Sequence, residues 1–397
     1  MEAGANTRES GDETIMSEHT QDGESPGLHR RLMRYDPILG YRFAPGLKLR
    51  IPHEGGGYLV KTNRDGFRCD HPVTHRKHTA HRVLVFGDSY TAGDGVSNGK
   101  RYTDILEQQL ADTEVLNFGL SGSGTDQQYL VFQQYSGQID YDAVVISVLV
   151  ENIQRNMVRE RDWADRAGEA IRVPKPWFEL TAGNDLSLRG IPVPPPYRHV
   201  SLPSGGGIAS VRSSLRRMVN RIGPDFKDLC QRITRFQPLP EYSAASNDSW
   251  KLMQAILAKW VSELSVPAVI VVMPVYQYVE ETASYKNIRM RFDELAKSID
   301  VLIYHVLDDF QRFPANKRRQ LRFRMDCHYT PVAHQLMGRA LAKVVAPLLR
   351  AGVHIDDGSM HDAASGIVDE EERSRHVDSV KREPGAGRAS PSQGIAT

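Results

Sequence analysis

The chain contains little of what marks a disulfide-rich, membrane-spanning or nucleic-acid-binding protein. Its only cysteines, Cys69, Cys230 and Cys327, are widely spaced in 397 residues, which argues against a disulfide framework or a zinc site. No apolar run approaches the roughly 20 residues of a membrane span, and the N-terminus has no apolar core of a secretory signal. With 50 Lys and Arg against 49 Asp and Glu, the net charge of +1 gives no electrostatic reason to expect nucleic acid or an anionic membrane as a partner. We therefore expect a soluble, cytoplasmic protein.

The clearest chemistry lies in residues 81–96. Residues 82–86 form a short apolar run with β-branched side chains, and Gly-Asp-Ser at 87–89 interrupts it before a glycine-rich turn. Apolar residues at helical spacing resume at Tyr102. The pattern predicts a strand, a turn and a helix, with Ser89 at the carboxyl end of the strand. An open α/β sheet keeps its ligand crevice at that end.

A serine hydroxyl is a weak nucleophile until a base removes its proton, so this interpretation requires a histidine elsewhere in the chain. His328 is the candidate base, and Asp326, two residues earlier, is the candidate partner that orients its ring. Both precede a predicted helix whose start is marked by Thr330, suited to the N-cap, and Pro331, suited to the first helical position. The loop before that helix can bring both side chains to Ser89.

Three blocks in sequence order carry a family resemblance. They are Gly-Asp-Ser at 87–89, Asn-Phe-Gly-Leu-Ser-Gly-Ser-Gly at 117–124 and Asp-Cys-His at 326–328. Together they resemble the SGNH (GDSL-type) hydrolase family over roughly residues 40–350, and their order is far more specific than a lone Gly-Asp-Ser. The resemblance implies that the serine is the nucleophile, the late histidine the base and the nearby aspartate its partner. It also implies an oxyanion hole made by the serine amide, a second-block glycine and a third-block asparagine. In this sequence the roles fall on Ser89, His328, Asp326 and Gly122.

The third block departs from the family's pattern. Residues 143–150 are a continuous apolar run, typical of a central parallel strand, and Glu151-Asn152 follows where the family usually reads Gly-x-Asn-Asp. Counting along the strand places Glu151 at the asparagine position and Asn152 at the aspartate position. An ionised glutamate would repel an oxyanion, so either the loop shifts to present Asn152 or Glu151 is protonated. We predict Asn152 as the donor and Glu151 as a modifier of the site.

The alternation of five strands with helices predicts a three-layer α/β/α sandwich around a parallel, five-stranded, flavodoxin-like sheet. An N-terminal strand segment precedes it, and a cap-like region interrupts it. We divide the chain into a disordered tail (1–27), a strand-rich lead-in (28–81), a hydrolase domain (82–350) with an insertion at about 153–245, and a second disordered tail (351–397). Within the insertion we predict a hairpin between about 174 and 194.

The favoured function is hydrolysis of an ester, an O-acyl group on a carbohydrate or a small metabolite, through an acyl-enzyme on Ser89. One alternative is an O-acyltransferase that uses the same serine. Another is a non-catalytic binding protein with the SGNH fold, suggested by Glu151. We expect a small-molecule or carbohydrate ester as substrate and no cofactor or metal, and the oligomeric state stays open.

Overall fold

The computed structural model describes residues 32–164, 169–198, 231, 233 and 236–351. The predicted tail at 1–27 lies outside the described residues, as does the tail at 351–397 apart from its first residue. Residues 199–230 of the predicted insertion also lie outside them. The proposed domain boundaries stay predictions.

Within the described residues the chain forms β-strands, α-helices and two short 3-10 helices. The strands are β1 (Met33–Asp36), β2 (Gly40–Phe43), β3 (Lys48–Ile51), β4 (Tyr58–Lys61), β5 (His81–Gly87), β6 (Thr113–Gly119), β7 (Ala143–Leu149), β8 (Glu160–Ala164), β9 (Ala170–Pro174), β10 (Trp177–Leu180), β11 (Leu186–Arg189), β12 (Tyr197–Arg198), β13 (Ala268–Met273) and β14 (Leu302–His305). The α-helices are α1 (Ser89–Ala92), α2 (Tyr102–Gln109), α3 (Thr125–Tyr135), α4 (Asn152–Arg155), α5 (Asp248–Ser262), α6 (Tyr276–Val279), α7 (Lys286–Ile299), α8 (Val306–Gln311) and α9 (Pro331–Ala351). The 3-10 helices are Pro240–Ser243 and Ala315–Leu321.

The centre of the protein is a sheet of five parallel strands in the order β6-β5-β7-β13-β14. Numbered along the chain, this is 2-1-3-4-5, the flavodoxin-like order. Every residue of β6 and β7 is buried, as expected for parallel strands covered on both faces. The predicted α/β fold with a five-stranded parallel sheet is therefore confirmed.

The helices pack around this sheet in two groups. In the first, α2 packs on α9, and Gly338 makes the approach possible because a Cβ there would lie 2.6 Å from Cβ of Ile105. In the second, α5 packs between α3 and α7. The indole of Trp260 on α5 lies 5.3 Å from the ring of Phe86 and 5.6 Å from the ring of Phe132, and each such aromatic pair adds about 0.5–1.5 kcal/mol beyond area burial. None of the helices in the described part of the chain is long and apolar enough to cross a membrane.

The N-terminal lead-in contains strands, as its sequence predicts, and the structure pairs them into two antiparallel hairpins, β1-β2 and β3-β4. The buried guanidinium of Arg68 donates hydrogen bonds of 2.7 Å to the carbonyls of Gly93 and Val96. Those carbonyls belong to the turn that follows α1. The lead-in is thus attached to the turn that follows Ser89.

The insertion contributes an antiparallel sheet in the order β12-β9-β8 and a separate hairpin, β10-β11. The hairpin lies within the range predicted for it, with Trp177 opposite Arg189. The ammonium group of Lys175, between β9 and β10, is fully buried and pairs with the Asp126 carboxylate on α3. This ion pair fastens the insertion to the main domain.

Candidate active site

Ser89 lies where strand β5 passes into α1. β5 ends at Gly87, and the Asp88 carboxylate caps α1 by accepting a 3.0 Å hydrogen bond from the Tyr90 amide. A Cβ at Gly87 would lie 2.0 Å from Oγ1 of Thr91, so only glycine fits this sharp turn. The turn presents the Ser89 hydroxyl at the carboxyl edge of the sheet, as the sequence predicts.

His328 connects Ser89 to Asp326. Its Nε2 lies 2.8 Å from the Ser89 Oγ, and its Nδ1 lies 2.5 Å from an Asp326 carboxylate oxygen. An ionised carboxylate can only accept hydrogen bonds, so Nδ1 carries the proton and donates a hydrogen bond to Asp326. This leaves Nε2 as the acceptor for the Ser89 hydroxyl. The three side chains predicted from distant parts of the sequence form one hydrogen-bonded chain.

The same contacts set the ionisation states of His328 and Asp326. Burial by itself would lower the pKa of His328, but its hydrogen bond to Asp326 and the charge of that carboxylate raise the pKa above the ordinary histidine value. Burial would raise the pKa of Asp326, but hydrogen bonds from His328 and His53 hold it well below its usual range. Asp326 is therefore ionised at neutral pH and stabilises positive charge on His328.

Two residues of the lead-in, unassigned in the sequence, hold the Asp326 loop. The Nδ1 of His53 accepts a hydrogen bond from the Gly55 amide at 3.2 Å, so its Nε2 carries the proton and donates to Asp326, also at 3.2 Å. The Glu54 carboxylate accepts from the amides of residues 324, 325 and 326 at 2.9, 2.8 and 2.6 Å. The β3-β4 turn thus fixes both the carboxylate and the backbone beside it.

Arg155, at the end of α4, ties together the loops that carry the three predicted oxyanion donors. One of its guanidinium nitrogens, Nη1, lies 2.6 Å from the Asp88 carboxylate, next to Ser89, and 3.3 Å from the Ser123 carbonyl, next to Gly122. The same helix begins with Asn152. Arg155 therefore brings the ends of β5, β6 and β7 together.

Asn152 and Glu151 have opposite environments. Asn152 is completely buried, and neither its amide nitrogen nor its amide oxygen has a hydrogen-bond partner among the described residues. The Glu151 side chain is 47% exposed and pairs with Arg155, with 3.2 Å between Oε2 and Nη2. A buried, unpartnered amide is costly unless a ligand uses it. The geometry thus favours Asn152 over Glu151 as the polar group available to a substrate.

Gly122 adopts a left-handed backbone conformation with φ of 79°, which suits glycine. Its loop lies beside the end of β5, because the Leu120 amide donates to the Gly87 carbonyl at 2.9 Å. The Gly122 amide is therefore held near the Ser89 turn, where the sequence predicts a second oxyanion donor.

Asp326, Cys327 and His328 offer three potential metal ligands whose atoms lie within 4.8 Å of one another. Both ring nitrogens of His328, however, are engaged by Ser89 and Asp326. Binding a metal ion there would break the hydrogen-bonded chain.

The family model of GDSL-like lipase/acylhydrolases matches residues 83–341, more than half of the chain. A search of curated proteins gave no match. Among solved structures, a lipolytic G-D-S-L family protein from Veillonella parvula is 12% identical, with 67% of this chain and 98% of that one covered and a TM-score of 0.36. A lipase/acylhydrolase from Enterococcus faecalis is 11% identical, with 67% and 95% covered and a TM-score of 0.37. The esterase EstA from Pseudoalteromonas is 12% identical, with 68% and 99% covered and a TM-score of 0.34.

The family match includes all three sequence blocks that carry the resemblance, and it starts after the lead-in that supplies His53 and Glu54. The chain belongs to the GDSL-like lipase/acylhydrolase family, and it is an SGNH-type esterase.

Proposed function

We propose that this esterase works through an acyl-enzyme on Ser89, and the observation that carries the proposal is the continuous hydrogen-bonded chain from Ser89 through His328 to Asp326. The Ser89 Oγ attacks the ester carbonyl while its proton passes to His328 Nε2. The tetrahedral intermediate then collapses, the C–O bond to the alcohol breaks, and the imidazolium returns the proton to the departing oxygen. Water, deprotonated by His328, attacks the acyl-enzyme and releases the carboxylic acid and free Ser89.

We assign the oxyanion hole to the backbone amides of Ser89 and Gly122 and to the side-chain amide of Asn152. Charge develops on the carbonyl oxygen in the transition state, and donors already in place stabilise it without reorganisation. The pairing of Glu151 with Arg155 reduces the repulsion that an unpaired carboxylate would exert on that oxygen.

The proposed substrate is an O-acyl group on a carbohydrate or a small metabolite. Trp163, on β8 of the insertion, supports this class because its indole lies beside Gly122 and aromatic faces pack well on sugar rings. Purified protein should release acetate from 4-nitrophenyl acetate and from acetylated sugars. If the protein hydrolysed no member of this panel, the proposal would be overturned.

The cytoplasmic location stays a prediction, to be tested by cell fractionation.

Acyl transfer to another hydroxyl is the second candidate function. It is favoured by the insertion, because β8 lies beside Gly122 and can shield an acyl-enzyme from water. Products should be identified with and without sugar acceptors in the assay. Acylated acceptor would support transfer, and free acid as the sole acyl product would support hydrolysis.

The pH dependence follows from the raised pKa of His328, which must be neutral to take the Ser89 proton. We expect kcat/KM to fall on the acidic side with a midpoint above about 6.5, the ordinary histidine value. In Asp326→Asn the carboxylate that stabilises the imidazolium is gone, so this midpoint should move to lower pH as the rate falls. The profile of kcat/KM for 4-nitrophenyl acetate measures both effects. A midpoint below 6.5 in the parent protein, or one unmoved in Asp326→Asn, would contradict the assignment.

The role of His53 can be separated from its packing by two variants. His53→Phe keeps a ring against Phe323, whose centroid lies 4.4 Å away, but loses the donor to Asp326. His53→Gln keeps a donor at the position of Nε2. A hydrogen bond to a charged group contributes about 1.5–3 kcal/mol, so we expect kcat to fall about tenfold or more in His53→Phe and to recover largely in His53→Gln, with KM little changed.

A second readout distinguishes positioning from folding. Without the His53 donor, Asp326 becomes a stronger acceptor for His328, so the acidic midpoint of kcat/KM should rise in His53→Phe. Retained activity in His53→Phe and a loss in His53→Gln, with an unmoved midpoint, would show that His53 has only a packing role.

A further inference from the structure

Three cations lie around the oxyanion loops, and two of them form direct ion pairs with carboxylates. Arg155 is paired with both Asp88 and Glu151, at 2.6 and 3.2 Å, and Lys175 is paired with Asp126. Arg161, on β8, forms no ion pair within the described part of the chain. Its Nε and Nη2 are buried, and neither has a hydrogen-bond partner among the described residues.

This guanidinium lies beside the glycine that we assign to the oxyanion hole. A Cβ built on Gly122 would lie 3.9 Å from Nη1 of Arg161, 3.5 Å from the Trp163 indole and 3.3 Å from the Tyr41 hydroxyl. The Tyr41 hydroxyl is also buried; its polar neighbour is the Gln127 side chain, and no well-aligned hydrogen bond joins it to a described residue. Arg161, Tyr41 and Trp163, here called the Arg161 cluster, thus surround one side of the glycine loop.

The two unpartnered nitrogens of Arg161 form a single edge of the guanidinium. On an arginine, Nε–H and one Nη2–H point in the same direction, and together they match the two oxygens of a carboxylate. Burial lowers the pKa of Arg161, and the charges of Asp126 and Asp88 offset this only in part, so a bound carboxylate would stabilise the guanidinium further. The Nε and Nη2 edge of Arg161 thus has the geometry to receive a carboxylate.

We propose that the Arg161 cluster is a substrate subsite for a carboxylate, so that the preferred ester carries a carboxylate on its alcohol or its acyl part. The proposal rests on the proposed function in that the ester reacts at Ser89. In the subsite, the Nε–H and Nη2–H of Arg161 donate to the two carboxylate oxygens, and the Tyr41 hydroxyl donates to one of them.

Matched esters test this preference. On the alcohol side, 4-acetoxybenzoate is compared with 4-acetoxybenzamide; on the acyl side, the 4-nitrophenyl monoester of glutaric acid is compared with 4-nitrophenyl butyrate. Charged hydrogen bonds of this kind change rates by about tenfold or more, so in at least one pair the anionic ester should show that advantage in kcat/KM. Arg161→Gln should lose the advantage while retaining turnover of the neutral ester.

Arg159→Gln is the control, because Arg159 lies on the same insertion and its loss changes the net charge equally. Its guanidinium is exposed, pairs with Glu179 at 3.0 Å and lies over the Trp177 ring. It should keep the preference for the anionic ester. Equal rates for both members of both pairs, or a preference that survives in Arg161→Gln, would overturn the proposal.

A binding measurement separates failure of the subsite from failure of the chemistry. In Ser89→Ala, calorimetry with 4-hydroxybenzoate, 4-hydroxybenzamide, glutarate and glutaramide requires no turnover. Tighter binding of an acid than of its matched amide, lost on adding Arg161→Gln, supports the subsite even if no ester is hydrolysed. Equal binding of acids and amides overturns it even if esterase activity is present.

Discussion

Replacing Ser89 with alanine is expected to lower the hydrolysis of 4-nitrophenyl acetate by about 10,000-fold or more, because the nucleophile of the acyl-enzyme is lost. A small residual rate above that of water should remain, since the oxyanion donors are still in place. The Ser89 hydroxyl is 2.8 Å from His328 and makes no other side-chain hydrogen bond among the described residues. The thermal unfolding midpoint should therefore change little, and it should be measured beside the rate.

Ser284→Ala is the matched control for this variant. Ser284 is an exposed serine ahead of α7, and within the described part of the chain its hydroxyl accepts only a long 3.4 Å hydrogen bond from the Lys286 amide. It should keep full activity. Activity that persists in Ser89→Ala, or an equal loss in Ser284→Ala, would remove Ser89 from the mechanism.

The second large effect is expected at Asn152. Removal of one oxyanion donor costs about 100- to 1,000-fold in kcat, so Asn152→Ala should lose that much for 4-nitrophenyl acetate. Glu151→Gln, one residue away, should change kcat by less than about threefold because the Glu151 side chain is half-exposed and pairs with Arg155 rather than facing the oxyanion. Steady-state kinetics of the two variants, each checked for its unfolding midpoint, measure the difference. A larger loss in Glu151→Gln than in Asn152→Ala would reverse the assignment of the third block.

Much of the fold follows from local pattern. The apolar run at 143–150 predicts a buried strand, and β7 spans Ala143–Leu149, because a parallel strand covered on both faces needs apolar side chains throughout. Thr330 and Pro331 predict where the last helix starts, and α9 begins at Pro331, because a proline lacks the amide that the first helical turn leaves unpaired. Ser89 directly follows a parallel strand and so lies at the carboxyl edge of the sheet, whereas His328 follows a helix and a 3-10 helix, and its approach to Ser89 is predicted from the family resemblance.

The sequence did not predict two features of the site, a contact between residues far apart in the chain and an ion pair. His53 and Asp326 are 273 residues apart, and their contact depends on how the β3-β4 turn packs on the loop before α9, for which no local pattern exists. At Glu151 the sequence left two alternatives, a shifted loop or a protonated side chain, and the structure shows a third feature, the ion pair with Arg155. That pair has the i,i+4 spacing of a helical salt bridge, so the sequence did contain a signal for it.

The most direct test of the central claim is whether Ser89 reacts as an activated nucleophile. The protein should be treated with a fluorophosphonate, weighed by intact mass spectrometry and mapped by peptide sequencing, beside Ser89→Ala and His328→Gln. We predict a single adduct on Ser89 in the parent protein, none in Ser89→Ala and strongly slowed labelling in His328→Gln. An unlabelled parent protein, or an adduct on a different serine, would contradict the account and leave a binding protein with this fold as the better description.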